Sequence, residues 1–446
     1  MAISELPDEI MFDILSRLPA KCVGKSRCVS KPWRTILSGT QFIKAHLTHL
    51  KRTHQQNLIF IAGDFSIRTI SAVQNDAVSR ELELGLEKRW SDVLGSCDGL
   101  VLLQNDDEDK FLLNPMTMQL VKVPDWPAPS YKDESIAMHG FGYDSSIDDY
   151  KIVSVSYQDP REYVSAVVHT FVDVYCVRSG VWKRVGNPPY DIFYFLGKDA
   201  YDHVYVLRTP GAYLNGAIHW FASNANERTV IVAFDLAREV FDEMPAPVGA
   251  DVNLVPYELV VLGGCLCVYD VQSVIGQANV WIMREYRSAK SWTRFNIECV
   301  HEWEMAKPLC CIGDEEVVLV NTMAEALVYN VKEKSLNNMV VDGVPANVLD
   351  GDIFVGSLVS PCPLTVAEPK ERERGCELIF FLEPTHYLTG EVEVASSSSS
   401  CSYTALLHHQ QHMDAVVETG AKVFDGGEEW FGIRGFRIEE GDGLNL

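Results

Sequence analysis

The chain has 446 residues, of which 47% are hydrophobic and 22% charged, and its formal net charge is −24. This composition predicts a soluble globular protein with enough core for two or more domains, and the negative balance argues against non-specific nucleic-acid binding. No apolar run approaches the roughly 18 residues of a membrane helix, and Met1-Ala2-Ile3-Ser4-Glu5 lacks a basic leader, so no membrane role is expected. The twelve Cys are scattered, several within apolar runs, and are expected as reduced thiols of a cytoplasmic or nuclear protein.

The first fifty residues carry three short helical patterns. Pro7 suits a first helical turn, and Asp8 and Glu9 complement the helix dipole there. Leu6, Ile10, Ile14 and Leu18 repeat at i, i+4, with Leu15 widening the stripe, until Pro19 stops the helix. A second helix is expected over Cys22 to Ser30. Ser30 is placed to cap a third, with Pro32 in its first turn and Trp33, Ile36 and Leu37 on its buried face. A unit this small buries too little surface to stand alone, so it is expected to finish folding against a partner. Its charge is opposite to that of the rest. Residues 1–50 hold seven basic and four acidic side chains, leaving −27 for the remainder, and no Asp or Glu occurs between Ile14 and Gly63. Such a split points to an acidic partner, with a solvated basic face as the plain alternative.

Leu6-Pro7-Asp8-Glu9-Ile10, Ile14 to Lys21, Arg27 to Arg34 and Phe42 to Leu47 together resemble the F-box of plant F-box proteins in order and spacing. The resemblance implies docking on a Skp-family adaptor and, through it, on a cullin–RING ubiquitin ligase. On the matching positions it assigns Leu6, Pro7, Ile10, Ile14, Leu15, Leu18, Pro19, Val29 and Trp33 to the adaptor-contact surface or the core behind it. Gly24 and Ser26 depart from the large apolar residues common there, and Pro32 from a small polar one. Gly within a helix costs about 1 kcal/mol relative to Ala, so weaker docking is one expected consequence.

From Leu58 to about Val359 the pattern becomes short β-branched and aromatic runs separated by turn residues, which indicates an all-β domain. Two hairpin patterns recur. In one, an apolar strand meets Asn114, Asp235 or Asn330, turns, and returns in a strand that ends ten residues later. In the other, a returning strand opens with Trp182 or Trp292 after a Ser-containing turn. Their rough alternation suggests four-stranded units of about 40–50 residues, so about six or seven propeller blades. The expected fold class is therefore α+β multidomain, a small three-helix F-box followed by an all-β propeller-like domain. The expected divisions are 1–50, 51–94 (connector and first strands), 95–360 (propeller) and 361–446 (irregular extension).

Gly140-Phe141-Gly142-Tyr143-Asp144, Leu214 to Trp220, Gly263 to Cys267 and Ser291-Trp292, with the other motifs between residues 95 and 360, resemble the F-box-associated, kelch-like domain. The resemblance implies recruitment of a target protein for ubiquitination. His219, Trp220 and Trp182 are expected to pack blades rather than catalyse. Target contacts are expected on loops of one face. The candidates are the acidic run Asn105 to Asp109, the segment holding Trp126 and Tyr131, and Tyr190, Phe193, Tyr194 and Phe195.

After Val359 the mixed-charge Lys370 to Arg374 and the serine run Ser396 to Ser400 predict an irregular, partly disordered extension, with Leu378–Leu382 and Trp430–Ile433 able to form strands. His408, His409 and His412 lack a completing ligand, so no metal and no cofactor is expected. There is no G-x-S-x-G and no phosphate loop, and Cys265, Cys267, Cys310 and Cys311 read as core. The expected function is a non-catalytic substrate adaptor of a Skp–cullin–F-box ligase, with an unknown target protein and no nucleic-acid or membrane partner. The alternative is a propeller scaffold or enzyme acting without a ligase.

Overall fold

The computed structural model describes residues 8–53, 56–70, 79–85, 88–125, 135–158, 170–186, 190–192, 195–198, 204–207, 210–223, 229–247, 257–270, 277–298, 306–312, 316–321, 326–338, 348–362, 390–395 and 400–405. The chain divides into two units, Met1–Cys376 and Glu377–Leu446.

The first unit begins with four helices rather than three: α1 (Asp8–Ser16), α2 (Ala20–Ser26), α3 (Lys31–Ser38) and α4 (Thr40–Arg52). Helix α1 stops short of Pro19, and α2 starts and ends earlier than expected. Ser30 caps α3 as anticipated: its hydroxyl accepts the Trp33 N–H at 3.3 Å, and Pro32 sits in the first turn, where its missing donor is harmless. Helix α4 takes up Phe42 to Leu47 and ends in His49, Lys51 and Arg52, which suit the negative end of its dipole. The structure separates the two sides of α1. Met11 and Leu15 face the core, with Val23, Leu37 and Phe42, while Ile10 and Ile14 are 47% and 49% exposed. Two apolar rows run along α1, and spacing alone did not say which one the rest of the bundle covers. Phe12 meets Phe42 edge-on at 5.2 Å.

Among the described residues, twenty-seven strands follow in the same unit. Blade I contains β1 (Gln56–Ala62), β2 (Ile67–Ile70) and β3 (Ser79–Glu81); blade II contains β4 (Trp90–Cys97), β5 (Leu100–Asn105), β6 (Lys110–Asn114) and β7 (Gln119–Lys122). Blade III is β8 (Ser135–Asp144), β9 (Asp149–Gln158), β10 (Thr170–Cys176) and β11 (Val181–Val185). In blade IV the inner position is shared by β12 (Asp191–Ile192) and β15 (Ala212–Leu214), both paired to β16 (Ala217–Ser223). The hairpin of β13 (Phe195–Lys198) and β14 (Val204–Leu207) lies between them in sequence, and β17 (Thr229–Asp235) and β18 (Val240–Met244) complete the sheet. Blade V is β19 (Tyr257–Leu262), β20 (Cys265–Asp270), β21 (Gln277–Met283) and β22 (Trp292–Glu298). Blade VI is β23 (Ala306–Ile312), β24 (Glu316–Asn321), β25 (Ala326–Asn330) and β26 (Ser335–Asn338).

The ring then closes. Strand β27 (Val348–Val355) returns to pair with β1, from Gln56↔Val355 to Ala62↔Val348, and supplies the inner strand of blade I. The protein is thus a six-bladed β-propeller preceded by helices, and residues 56–81, expected as connector and first strands, form three-quarters of a blade. Apolar side chains fill the space between successive blades, so strands such as Leu100-Val101-Leu102-Leu103 are buried on both faces and read as unbroken apolar runs. Among the second unit's described residues, β28 (Gly390–Ala395) and β29 (Ser400–Ala405) pair as a hairpin. Leu378–Leu382, Trp430–Ile433, His408, His409 and His412 lie outside the described residues.

Both recurring patterns acquire a physical basis. At the turn from third to fourth strand, the Oδ1 atoms of Asn114, Asp235 and Asn330 each accept two backbone N–H groups, from residues two and three positions on. Four residues after each, Met118, Glu239 and Lys334 adopt φ of 57°, 54° and 52°, the left-handed step that launches the returning strand. The Trp pattern joins neighbouring blades. Trp182 Nε1 donates to the Pro124 carbonyl beyond β7, and Trp292 Nε1 to the Pro245 carbonyl beyond β18, each at 3.0 Å. Close packing also demands glycine: a β-carbon on Gly140 would collide with Ile218 and Trp220 of the next blade.

The residues that composition might nominate for chemistry are structural. His219 is fully buried, with Nδ1 2.8 Å from the Ala212 carbonyl and Nε2 2.8 Å from the Tyr286 hydroxyl of blade V. Cys267 is buried, and Cys265 and Cys311 pack against the same cluster between blades V and VI. The cysteines with described side chains are all free thiols.

Two outcomes follow from these contacts. Replacing Trp292 by Phe keeps the ring and removes the donor to Pro245, which should lower stability by about 1 kcal/mol in urea titrations. Burial pushes the His219 pKa down to about 4 from an unfolded value of 6.5. Below pH 6.5 the unfolded chain takes up a proton that the folded one refuses. His219 should therefore cost the fold about 2 kcal/mol between pH 7 and pH 5, and His219→Gln should flatten that part of the urea-midpoint profile.

Candidate partner-binding surfaces

In a four-stranded meander the first-to-second and third-to-fourth turns share one end. The second-to-third turns and the connections between blades share the other. The first end, here the near face, is also where β1 begins and β27 stops, so the helical module is delivered to it.

The module is held there by α4. Ile43 and Leu47 pack into the cluster of Leu94, Cys97, Leu100 and Phe141. Leu358, just beyond β27, enters the module's own core beside Met11, Leu15 and Phe42. Two acidic hairpin residues, each at a left-handed φ (Asp98 at 55°, Asp148 at 56°), receive lysines from α4. Lys44 Nζ lies 2.6 Å from Asp148 Oδ2, while the Tyr143 hydroxyl donates to Asp148 Oδ1 at 2.6 Å and Arg178 Nη2 to Oδ2 at 3.1 Å. The Lys44 hydrogen bond, followed by that from Tyr143, holds the Asp148 carboxyl at a pKa of about 2. Lys51 pairs with Asp98, which also accepts from the Tyr150 hydroxyl at 3.2 Å. The Lys44–Asp148 pair is largely exposed, where such pairs contribute about 0–1 kcal/mol against about 1.5–3 kcal/mol for burying a leucine, so Leu47 and Leu358 outweigh it, while Lys51 meets an Asp98 side chain only 6% exposed. The basic excess left an acidic partner and a solvated face as alternatives; Lys44 and Lys51 take neither role and pair within the chain.

The module's remaining surface carries the expected adaptor positions. Ile10, Ile14, Pro19 and Val29 are exposed, Val29 by 66%; Leu18 and Trp33 are half-buried, and Leu15 belongs to the core behind them. Leu6 and Pro7 lie outside the described residues. A β-carbon on Gly24 would meet nothing within 4 Å, so this departure costs the module no packing and only smooths its outside. Inside, His46 is fully buried with Nε2 2.8 Å from the Leu18 carbonyl, tying α4 to the end of α1, and burial lowers its pKa. Arg27 Nη2 donates to the Leu37 carbonyl at 2.8 Å and fastens α2 to α3. Lys25, Lys31 and Arg34 remain exposed.

Among the described residues, two of the expected target segments, Asn105 to Asp109 and Tyr190, lie at the opposite, far face. Asn105 to Asp109 is the second-to-third turn of blade II. Its acids are not merely solvated: Arg89 meets Asp106 at 2.8 Å, Lys88 meets Asp107 at 3.0 Å, and Lys122 meets Asp109 at 2.7 Å. Tyr190, ahead of β12, is half-buried against the cluster between blades III and IV. Phe195 starts β13, with no side-chain description, and Trp126, Tyr131, Phe193 and Tyr194 lie outside the described residues. On the near side of this seam, buried Lys151 links the same two blades through Asp144 at 2.8 Å and Glu239 at 2.9 Å.

Removing the shared acceptor with Asp148→Ala leaves Tyr143, Lys44 and Arg178 without it. Hydrogen exchange across residues 40–52 should accelerate about fivefold, while β17 and β21 keep their protection.

Comparison with known proteins gives a consistent result. Residues 53–359 match the family described as F-box associated beta propeller domain, and residues 3–44 match the F-box domain. F-box protein CPR1 of Arabidopsis thaliana is 29% identical over 383 residues, covering 81% of this chain and 90% of that protein. F-box/kelch-repeat protein At3g23880 of the same plant is 26% identical, covering 80% of this chain and 96% of that protein. Among solved structures, one from a nidogen/laminin complex overlaps 68% of this chain and 99% of its own with a TM-score of 0.38 and 10% identity.

Proposed function

Because the chain belongs to the family of F-box proteins with an F-box associated beta propeller domain, we propose that it is the substrate-recognition subunit of a Skp–cullin–F-box ubiquitin ligase. The helical module docks on a Skp-family adaptor, and the propeller's far face holds a target protein for ubiquitination and degradation. The observation that carries this reading is the uneven use of the module's surface. One side is consumed by the propeller through Ile43, Leu47 and Leu358, and the apolar Ile10, Ile14 and Val29 stay exposed together on a module of fewer than fifty residues, whereas the propeller's exposed Ile147, Val181, Val240, Val331 and Leu349 are scattered over several blades. Surface apolar groups gathered on a small basic module suit an acidic helical partner.

The chain itself performs no chemistry in this scheme. It raises the effective concentration of target lysines at the ligase, and the rate gain comes from proximity along a fixed lever. The anchored α4 matters here, because a free linker would spread the target over a larger volume. The free thiols, Cys22 and Cys28 among them at the surface, suit a reducing cytoplasmic or nuclear setting.

The test is retention of the full chain on an immobilised plant Skp-family adaptor. Ile10→Asp combined with Ile14→Asp changes exposed side chains only and should leave the circular dichroism spectrum intact. It should reduce retention at least about tenfold, since each acid replaces an apolar contact worth over 1 kcal/mol. Equal retention of the double variant would place the adaptor elsewhere.

A further inference from the structure

Blade I leaves an open cleft on the far face, bounded by the β1–β2 turn, the run from Glu81 to Gly85 that continues β3, and the entry into β4 at Lys88 and Trp90. Its volume is about 400 Å³. The floor is apolar: Ile67 and Trp90 are buried, and Leu82 and Leu84 are half-buried against the same cluster between blades I and II. Phe65 forms one wall at a φ of 66°, its ring held 3.7 Å beneath the Arg89 guanidinium.

The rim is acidic, and its cations are already engaged. Arg68 reaches Glu81 at 3.0 Å and Asp64 at 3.6 Å, Lys88 turns to Asp107 at 3.0 Å, and Arg89 turns to Asp106 at 2.8 Å. Glu83 is exposed and makes no ion pair among the described residues. The cleft therefore offers a small apolar floor at Leu82 and Leu84 within a mostly polar lining, a Glu83 carboxylate without an ion pair among the described residues, and a surrounding body that carries most of the chain's negative charge.

We infer that this cleft receives a basic segment of the target protein, with one or two large apolar side chains on the Leu82 and Leu84 floor and a flanking Lys or Arg at Glu83. The inference rests on the substrate-recognition reading above and names the chemistry of its target. A volume near the lower end of the roughly 300–1,000 Å³ typical of ligand clefts suits a short side-chain anchor. The local potential attracts cations and repels an acidic competitor. The far-face location leaves the adaptor-binding module unobstructed.

The experiment uses the full chain bound to its Skp-family adaptor. Fluorescence anisotropy follows a labelled octapeptide, Gly-Lys-Lys-Leu-Phe-Lys-Lys-Gly, and its twin with Glu in place of every Lys. The cationic peptide should bind at least about tenfold more tightly than the twin and weaken as salt rises from about 50 to about 300 mM. Glu83→Lys, at an exposed site, should weaken it at least about fivefold, and Leu84→Ser should weaken it at either salt concentration. Equal binding of the twin, absence of binding by the cationic peptide, or indifference to both variants would overturn the inference. Adaptor retention is read on the same samples: failure of the peptide with the adaptor still held sinks the cleft alone, whereas loss of the adaptor sinks the ligase reading.

Discussion

The pairing of β27 with β1 is the constraint on which the rest of the molecule depends. Seven paired positions, from Gln56↔Val355 to Ala62↔Val348, turn an open row of six sheets into a ring. Closure leaves no end blade with an uncovered face. It also anchors the last strand to its other neighbour, since Asp350 accepts the Val93 N–H at 2.9 Å and Ser96 Oγ donates to the Ile353 carbonyl. Because the inner strand of blade I comes from the far end of the sequence, chain entry and exit occupy the position of a missing hairpin. The helices before β1 and Leu358 after β27 therefore meet on one face, and a small bundle that could not bury enough surface alone gains its last apolar contacts there.

Blades of dissimilar sequence keep a common geometry through a few local devices. The side-chain amide or carboxylate of Asn114, Asp235 or Asn330 ties down its turn, a left-handed residue follows, and the outer strand returns in register. The Trp182 and Trp292 indoles then pin the beginning of an outer strand to the carbonyl leaving the preceding blade. These bonds are each small, about 1 kcal/mol, against the burial of whole apolar faces between blades. Their value is directional: apolar packing is indifferent to register, and these donors and acceptors are not.

Features written in local sequence were legible, and features that need a distant partner were not. The Asn114, Asp235 and Asn330 hairpins, the Trp182 and Trp292 strands and the Ser30 cap each involve residues within a few positions. Their alternation pointed to about six or seven blades, and the ring closes at six. Blade I was blurred because its inner strand lies nearly 290 residues away. Blade IV was blurred because β12 and β15 divide one position around an inserted hairpin. Ile10, Ile14 and Leu15 could only be read together as contact surface or the core behind it, because Ile10 and Ile14 repeat at the same interval as Met11 and Leu15, and only the position of Phe42 and Leu37 decides which row turns inward. Lys44 and Lys51 looked like partner-binding cations for the same reason: Asp148 is more than a hundred residues from Lys44, and no local pattern joins them.

The far-flung origin of the closing strand has a consequence during synthesis. A ribosome adding about 5–20 residues per second needs roughly a quarter of a minute to a minute to travel from β1 to β27. Throughout that interval the edge of the Gln56–Ala62 strand that β27 will cover, on a strand rich in Ile and Leu, lacks its ladder partner. Newborn chains of this protein thus pass through a long sticky adolescence that ends only when the last strand arrives to close the ring.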